Sequence, residues 1–281
     1  MITAADRYCV FGNPIEHSKS PFIHALFAKQ TGQAIDYQAK LAPLDAFELT
    51  VRQFMEEGGK GANVTVPFKL QACALANQLS DRAAIAGAVN TLSFSHGKIV
   101  GDNTDGLGLV RDIRQNAGVT IAGARVLLLG AGGAARGALL PLLQELPASL
   151  TIANRTLAKA EDLVSLAKES IAASCQITAQ TWSQLDGSFD LIINATSSSL
   201  HSEVPPVPAS VFKPSSLAYD MMYGDTQTSF NQFAAQCGAQ TRDGLGMLLE
   251  QAAEAFLIWR GIRPETASVF AHFRAKASVE K

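Results

Sequence analysis

The stretch that decides the fold is Arg125-Val126-Leu127-Leu128-Leu129-Gly130-Ala131-Gly132-Gly133-Ala134-Ala135-Arg136. Its short apolar run is typical of a strand that is buried on both faces. The glycines after it allow a tight turn and a close backbone approach to a ligand, and the alanine-rich segment beyond can open a helix whose free N–H groups would face a phosphate. Gly130, Gly132 and Ala135 fit G-x-G-x-x-G/A, so the stretch predicts a dinucleotide-binding turn.

Strand and helix patterns continue to alternate beyond this turn. We predict strands over 150–153, 190–194 and 217–220 and a helix over 157–166. Strands that alternate with helices imply right-handed βαβ units and a parallel sheet. The second half of the chain is therefore expected to be a Rossmann-like domain.

The sequence N-terminal to the glycine turn also alternates strand and helix patterns, which predicts another α/β unit. A strand over 7–12 is followed by Ser20-Pro21, a hydroxyl N-cap with proline at the first helical position. Ser18 and Ser20 either cap that helix or, beside Lys19, form a site for a carboxylate or phosphate. A β-rich segment over 61–69 places Lys69 at a strand–helix corner, and a helix is expected over 70–79. The alternation over 89–94 and 99–101 predicts a hairpin.

The turn-forming run Gly101-Asp102-Asn103-Thr104-Asp105-Gly106 marks the boundary between the two units. We predict a first domain over 1–104 and a nucleotide-binding domain over 105–240. The pattern over 241–281, which contains Gln251, is helical. The predicted fold class is α/β with two domains.

Composition and charge exclude several classes of function. The 281 residues carry a formal net charge of -2 without a cluster of basic residues, which argues against nucleic acid or an anionic membrane as a partner. The apolar region over 126–143 is interrupted by Arg136 and rich in glycine, so it is poor transmembrane material. Asp6 and Arg7 disfavour a signal peptide, the four cysteines are scattered, and no histidine has metal-ligand spacing. We expect reduced thiols, a cytoplasmic protein and no metal.

The residues after the second strand of the Rossmann-like domain indicate which dinucleotide binds. An NAD site has Asp or Glu there to accept from the ribose 2′-OH, whereas this chain has Asn154-Arg155-Thr156. The Arg155 guanidinium can bind a 2′-phosphate through charge-assisted hydrogen bonds, and Lys159 adds a second charge. The expected cofactor is NADP(H).

Taken in order, these motifs identify a family. The sequence resembles the NADP-dependent shikimate dehydrogenases of aromatic amino-acid (chorismate) biosynthesis across almost its whole length. The matching motifs are Ser18-Lys19-Ser20-Pro21, Asn63-Val64-Thr65-Val66-Pro67-Phe68-Lys69, Gly87-Ala88-Val89-Asn90-Thr91, Asp102-Asn103-Thr104-Asp105-Gly106, Gly130-Ala131-Gly132-Gly133-Ala134, Asn154-Arg155-Thr156, Asn194-Ala195-Thr196, Tyr219-Asp220-Met221 with Tyr223, and Asp243-Gly244-Leu245-Gly246-Met247.

The resemblance implies that residues 1–104 form a substrate-binding catalytic domain and that the C-terminal helices over 241–281 pack back on it. It also implies a reaction and a set of residues. NADPH would reduce the ketone of 3-dehydroshikimate reversibly to shikimate, with Lys69 and Asp105 as the catalytic pair; which of them donates the proton is open. The resemblance assigns the substrate to Ser18, Ser20, Thr65, Lys69, Asn90, Asp105, Tyr223 and Gln251. It assigns the cofactor to Asp81, Gly130, Ala131, Gly132, Gly133, Ala134, Asn154, Arg155, Thr156, Lys159, Thr196, Met221 and Gly244.

Three residues depart from the pattern of the resembled family, and two other functions remain open. Ser199 stands where many members have glycine, Asp225 where many have proline, and Lys159 where arginine is frequent. One alternative is the quinate/shikimate dehydrogenase branch, which can use NAD and tends to carry an acidic residue just after the arginine. The other is a non-catalytic NADP-binding regulator. We expect a small-molecule substrate and a monomer or homodimer.

Overall fold

The computed structural model describes residues 5–170 and 175–279. The chain divides into two compact units, one of Met1–Thr104 with Leu249–Lys281 and one of Asp105–Leu248. The second boundary thus follows Leu248, inside a helix, and not residue 240. The function assigned to each part of the chain stays a prediction.

The first unit is built on a six-stranded mixed sheet with the order β2-β1-β3-β5-β6-β4. Strand β1 is parallel to β2 and β3, while β5 and β6 form the predicted antiparallel hairpin. The strands are β1 Asp6–Gly12, β2 Ile35–Leu41, β3 Gly59–Val64, β4 Gln78–Leu79, β5 Thr91–Ser95 and β6 Lys98–Asp102. The helices before the second unit are α1 Ser20–Thr31, α2 Phe47–Glu56, α3 Lys69–Leu75 and α4 Asp81–Ala86.

Aromatic side chains form much of the core of this unit. One of them, Trp259, comes from the C-terminal segment. Phe47 meets Phe11 edge to face and stacks on Phe68 with ring centroids 4.6 Å apart. Trp259 stacks on Tyr8, and its indole N–H donates to the Leu92 carbonyl oxygen at 3.0 Å. The C-terminal helices therefore belong to the first unit.

The second unit is built on a six-stranded parallel sheet with the order β12-β11-β10-β7-β8-β9. This is the doubly wound order of dinucleotide-binding folds, with the switch point between β7 and β10. The strands are β7 Arg125–Leu129, β8 Ser149–Ala153, β9 Gln176–Gln180, β10 Leu191–Asn194, β11 Leu217–Asp220 and β12 Gln240–Arg242. The remaining helices of the chain are α5 Asp105–Arg111, α6 Gly133–Gln144, α7 Leu157–Ser170, α8 Ser229–Gln236, α9 Leu245–Arg260 and α10 Ala267–Val279. The predicted α/β fold class with a Rossmann-like domain is confirmed.

Some local predictions were wrong. Helix α1 begins at Ser20, with Lys19 in the N-cap position and without a side-chain cap. The helix expected over 70–79 begins at Lys69 and stops at Leu75, because the chain then extends into β4. The β-rich segment over 61–69 contains the end of β3 at Val64, before Pro67, and Lys69 lies at the predicted corner where α3 begins. Across the ranges that the structure describes, no helix is both long enough and apolar enough to cross a bilayer.

Candidate active site

Two of the predicted substrate-binding residues lie at the start of α1. The Ser18 hydroxyl oxygen accepts a hydrogen bond from the Ser20 backbone N–H at 3.3 Å, and Ser20 is largely buried as the first helical residue. The backbone N–H groups of a first helical turn have no partner within the helix and carry partial positive charge. The local geometry therefore suits a carboxylate.

Thr65 and Lys69 flank a tight turn after β3. The Thr65 N–H donates to the Phe11 carbonyl oxygen at 2.9 Å, and the Phe68 N–H donates back to the Thr65 carbonyl oxygen at 3.0 Å. Lys69 begins α3, where its carbonyl oxygen accepts from the Val89 N–H at 2.9 Å, and the neighbouring Phe68 ring is fully buried. The backbone that carries the predicted catalytic lysine is therefore fixed on both sides.

The structure brings Asn90 and Gln251 together although they are 161 residues apart in the chain. Asn90 is buried, and its amide nitrogen donates to the Gln251 Oε1 atom at 3.2 Å and to the Thr104 hydroxyl at 3.0 Å. The Asn90 Oδ1 atom in turn accepts from the Thr104 N–H at 2.9 Å. Two predicted substrate-binding amides thus form one cluster with Thr104, the residue before Asp105.

A buried polar chain behind Asn90 was not predicted from the sequence. The Tyr37 hydroxyl donates to Asn63 Oδ1 at 2.7 Å, and the Asn63 amide nitrogen donates to the Asn90 carbonyl oxygen and the Thr91 hydroxyl, each at 3.1 Å. The only signal in the sequence was a polar Asn63 within an apolar strand. A buried network in which every polar group has a hydrogen-bond partner holds its side chains in one arrangement. The network through Tyr37 and Asn63 therefore fixes the cluster around Asn90.

Three further predicted site residues lie at helix starts or in a loop: Asp81, assigned to the cofactor, and Asp105 and Tyr223, assigned to the substrate. Asp81 is exposed at the start of α4, where the Ser80 hydroxyl caps the helix. Asp105 begins α5 in the second unit, whereas Lys69 lies in the first. Tyr223 lies beyond β11, with 38% of its surface exposed. The pairing of Lys69 with Asp105 stays a prediction.

The glycine turn of the second unit has the geometry that a pyrophosphate needs. Gly130 follows β7 with a φ of 102°, a left-handed conformation that favours glycine, and its N–H donates to the Ala153 carbonyl oxygen at 2.8 Å. A Cβ added to Gly132 or Gly133 would meet no atom within 4 Å, so this face of the turn is open. Ala131 and Ala134 complete the turn into α6, a 12-residue helix whose N-terminus suits an anion.

The end of β8 fits a 2′-phosphate. The Asn154 amide nitrogen donates to the Thr156 carbonyl oxygen at 2.8 Å, which shapes the loop into α7. Arg155, Thr156 and Lys159 are exposed, so two cationic side chains stand where a 2′-OH site has a carboxylate. The residues present at the turn and at the end of β8 therefore fit NADP(H).

Met221 and Gly244 lie against each other beyond β11. A Cβ on Gly244 would approach the Met221 carbonyl oxygen to 2.1 Å, and the Gly244 N–H donates to the Met222 carbonyl oxygen at 3.0 Å. In the same unit the fully buried Asp112 pairs with the Arg242 guanidinium at 2.6 Å and accepts a hydrogen bond from the Tyr219 hydroxyl at 2.8 Å. The Arg242 ion pair and the Tyr219 hydrogen bond connect β12 and β11 to the segment after α5.

Among the residues that the structure describes, no group of His, Cys, Asp and Glu side chains could hold a metal ion.

Three family models match the chain. The shikimate dehydrogenase substrate binding domain covers residues 10–92, shikimate / quinate 5-dehydrogenase covers residues 112–202, and the shikimate 5′-dehydrogenase C-terminal domain covers residues 244–269. A curated relative from Herminiimonas arsenicoxydans, named shikimate dehydrogenase (NADP(+)), is 61% identical over 276 residues, which is 98% of this chain and 100% of the relative.

Solved structures share the fold over most of the chain. An Ael1 enzyme from Pseudomonas putida is similar with a TM-score of 0.90 and 49% identity, covering 95% of this chain and 98% of that one. The shikimate 5-dehydrogenase of Thermus thermophilus, solved in complex with NADP(H) and shikimate, has a TM-score of 0.80 and 30% identity over 92% of this chain and 95% of that one. Matched over nearly its full length in both sequence and fold, the chain belongs to the shikimate dehydrogenase family.

Proposed function

We propose that this protein catalyses the reversible, NADPH-dependent reduction of 3-dehydroshikimate to shikimate. The observation that carries the proposal is the match over 98% of the chain to a relative named shikimate dehydrogenase (NADP(+)). The geometry agrees, because the first unit holds a cluster of amide and hydroxyl groups and the second an open glycine turn with two cationic side chains nearby. The reaction is a step of the shikimate pathway towards chorismate and the aromatic amino acids.

The acid–base work is assigned to Lys69 and Asp105. NADPH, when bound, supplies the hydride for the ketone carbon. Charge that develops on the ketone oxygen needs a positive group and a proton donor nearby, and the Lys69 ammonium can serve as both. Asp105 accepts a hydrogen bond from a substrate hydroxyl and orients the lysine. In the reverse direction the same pair removes the proton from the alcohol.

The substrate is an anion with several hydroxyl groups, and the proposed binding residues suit each part. Its carboxylate accepts hydrogen bonds from Ser18 and Ser20 at the start of α1, where helix-end N–H groups favour negative charge. The ring hydroxyls bind the remaining polar side chains assigned to the substrate. These are Thr65, Lys69, Asn90, Asp105, Tyr223 and Gln251.

The cofactor is held by backbone in one place and by side chains in another. The turn from Gly130 to Ala134 binds the pyrophosphate, and Arg155 with Asn154, Thr156 and Lys159 binds the 2′-phosphate. Thr196, Met221 and Gly244 surround the nicotinamide half, and Asp81 adds a further contact.

The test is an absorbance assay at the NADPH band with 3-dehydroshikimate. We expect turnover with NADPH and a much lower kcat/KM with NADH, because the end of β8 offers Arg155 and no carboxylate. Shikimate should likewise be oxidised far better than quinate. Absence of turnover would exclude the enzyme, and equal use of NADH or quinate would point to the quinate/shikimate branch.

We further propose that the enzyme works in the cytoplasm as a monomer or homodimer. All four cysteines, Cys9, Cys73, Cys175 and Cys237, are free thiols in the structure, which fits a reducing compartment. Thiol titration of freshly purified protein should find four reactive groups after denaturation. Light scattering should give a mass of one or two chains, and a larger assembly would contradict the proposal.

A further inference from the structure

A fully buried carboxylate lies at the carboxyl edge of the parallel sheet, outside the residues assigned above. Asp220 ends β11 and Asn194 ends β10, both are 0% exposed, and the two are register partners in the sheet. The Asn194 amide nitrogen donates to Asp220 Oδ1 at 3.2 Å. In open α/β sheets this edge is where ligands bind.

Asp220 is kept there by hydrogen bonds from the surrounding chain. Its Oδ2 atom accepts from the Ser199 hydroxyl at 2.6 Å, and its Oδ1 atom also accepts from the Met222 backbone N–H at 3.1 Å. Burial raises the pKa of the Asp220 carboxyl, and the Ser199 hydroxyl opposes that rise most strongly, followed by Thr228. Burying an ionised carboxylate costs free energy unless hydrogen-bond donors replace its lost hydration. Loss of any one of these donors should therefore destabilise the Asp220 carboxylate in this position.

The same network continues to the glycine turn. The Asn194 Oδ1 atom accepts from the Thr196 backbone N–H at 3.1 Å and from the Thr196 hydroxyl at 2.7 Å. The Thr196 methyl group lies against Gly130, where an added Cβ would be only 3.1 Å from it. One carboxylate thus links the loop that carries Thr196, the backbone after Met221 and, through Asn194, the start of the turn.

We propose that Asp220, held by the Ser199 hydroxyl, is a positioning residue of the cofactor site that keeps Thr196 and Met221 in the arrangement that binds NADPH. This inference rests on the proposed function, which assigns both residues to the cofactor. Ser199 stands where many members of the family have glycine, which could not make this hydrogen bond.

The test compares variants at the two ends of one strand. Ser199→Ala removes the donor at the carboxyl end of β11, and Ser199→Thr keeps a hydroxyl. Ser216→Ala is the control, because it likewise removes a serine hydroxyl that donates a hydrogen bond, here to the Phe189 carbonyl oxygen at 2.5 Å at the amino end of β11. Ser216 is fully buried, whereas Ser199 is partly buried. Each variant is measured for the KM for NADPH, the KM for the ketone substrate, the Kd of NADP+ by calorimetry, and Tm.

We expect Ser199→Ala to raise the KM for NADPH and the Kd of NADP+ about 3- to 10-fold, the range expected for one hydrogen bond. The KM for the ketone substrate should not change, and Ser199→Thr should restore cofactor binding. Ser216→Ala should lower Tm without changing the NADPH constants. Asp220→Asn combined with Ser199→Ala should weaken cofactor binding by less than the product of the two single effects, since both substitutions disrupt the Ser199–Asp220 hydrogen bond.

Two results would overturn the inference. One is that Ser199→Ala changes only Tm; the other is that Ser199→Ala and Ser216→Ala change the NADPH constants equally. If the wild-type protein binds NADP+ but does not turn over 3-dehydroshikimate, the proposed function fails. The calorimetric comparison of the variants would still decide the inference in that case.

Discussion

Lys69 occupies a fixed position at the start of α3, with its carbonyl oxygen bound by the Val89 N–H and a fully buried Phe68 before it. Removing the ammonium in Lys69→Ala takes away a proton donor and a positive charge while leaving this backbone in place. We expect kcat to fall about 10²- to 10⁴-fold with little change in KM, because the lost interaction forms in the transition state. Steady-state kinetics in both directions measure this.

Lys60→Ala provides the control, since Lys60 is an exposed lysine on β3. It should leave both constants unchanged. A Lys69→Ala enzyme with nearly normal kcat would remove Lys69 from the chemistry and leave Asp105 as the candidate acid–base group.

His24 makes the stability of the first unit depend on pH. Its ring is fully buried, stacks on Tyr37 with centroids 4.1 Å apart, and has no hydrogen-bond partner at either nitrogen among the described residues. Burial lowers the pKa of His24 from 6.5 to about 3, against a smaller opposite effect of Asn63. The unfolded chain therefore binds a proton that the folded chain excludes between these values.

Stability should thus be complete above pH 6.5 and be lost as the pH falls towards 3. The expected slope is about 1.4 kcal/mol per pH unit, or about 2 kcal/mol between about pH 6.5 and about pH 5. Urea unfolding of the wild type and of His24→Phe at these pH values measures it, and the variant should lose most of the slope. His201→Gln, at an exposed histidine, should keep it. Equal slopes in all three proteins would contradict the prediction.

At the scale of secondary structure, the start of α9 is tightly matched to the end of β11. A methyl group on Gly244 would lie 2.1 Å from the Met221 carbonyl oxygen, a distance that requires the backbone to move. We expect Gly244→Ala to lower Tm and raise the KM for NADPH, because Met221 belongs to the proposed nicotinamide site. Gly224→Ala is the control, since its added Cβ would meet only ordinary contacts from 3.6 Å. Equal Tm values for the two variants would show that the segment tolerates the displacement.

The sequence predicted elements whose signals are local. The apolar run before Gly130 and the glycines after it lie close together in the chain, so β7, the turn and the start of α6 could be located directly. Strands β9 and β12 were missed because they lie at the edges of the sheet, where polar, partly exposed residues give no apolar pattern. The short helix α8 was missed too, although Thr228 caps it.

Contacts between distant residues could not be derived from the sequence. The hydrogen bond between Asn90 and Gln251 joins positions 161 residues apart, and only the family resemblance placed both at one substrate. Tyr37 and Asn63 were not assigned any role, because a buried polar pair has no sequence signature beyond one asparagine in an apolar strand. The Ser199–Asp220 hydrogen bond likewise depends on a loop that no propensity predicts.

At the scale of the whole molecule, most of the proposed substrate residues lie in one compact unit and most of the proposed cofactor residues in the other. The exceptions are Asp105 and Tyr223 of the substrate set, in the second unit, and Asp81 of the cofactor set, in the first. The substrate residues Ser18, Thr65 and Asn90 belong to the unit that includes the C-terminal helices with Gln251. The glycine turn and Arg155 belong to the unit of Asp105–Leu248. A ligand that binds only the folded state stabilises the protein by about 2.7 kcal/mol at a concentration of about 100 Kd. Slowed exchange of backbone amides should therefore report where each ligand binds.

Hydrogen exchange with each ligand alone tests this assignment. NADP+ should slow exchange over 130–136 and 154–159, and shikimate should slow it over 18–24, 63–69 and 249–255, because the amides at each site are held by contacts with the bound ligand. Protection of the C-terminal segment by shikimate is the discriminating signal, since that segment lies far from the others in the chain yet contributes Gln251. Quinate at the same concentration serves as the control and should protect less. Protection of 249–255 by NADP+ alone, with none by shikimate, would show that the C-terminal helices serve the cofactor and not the substrate.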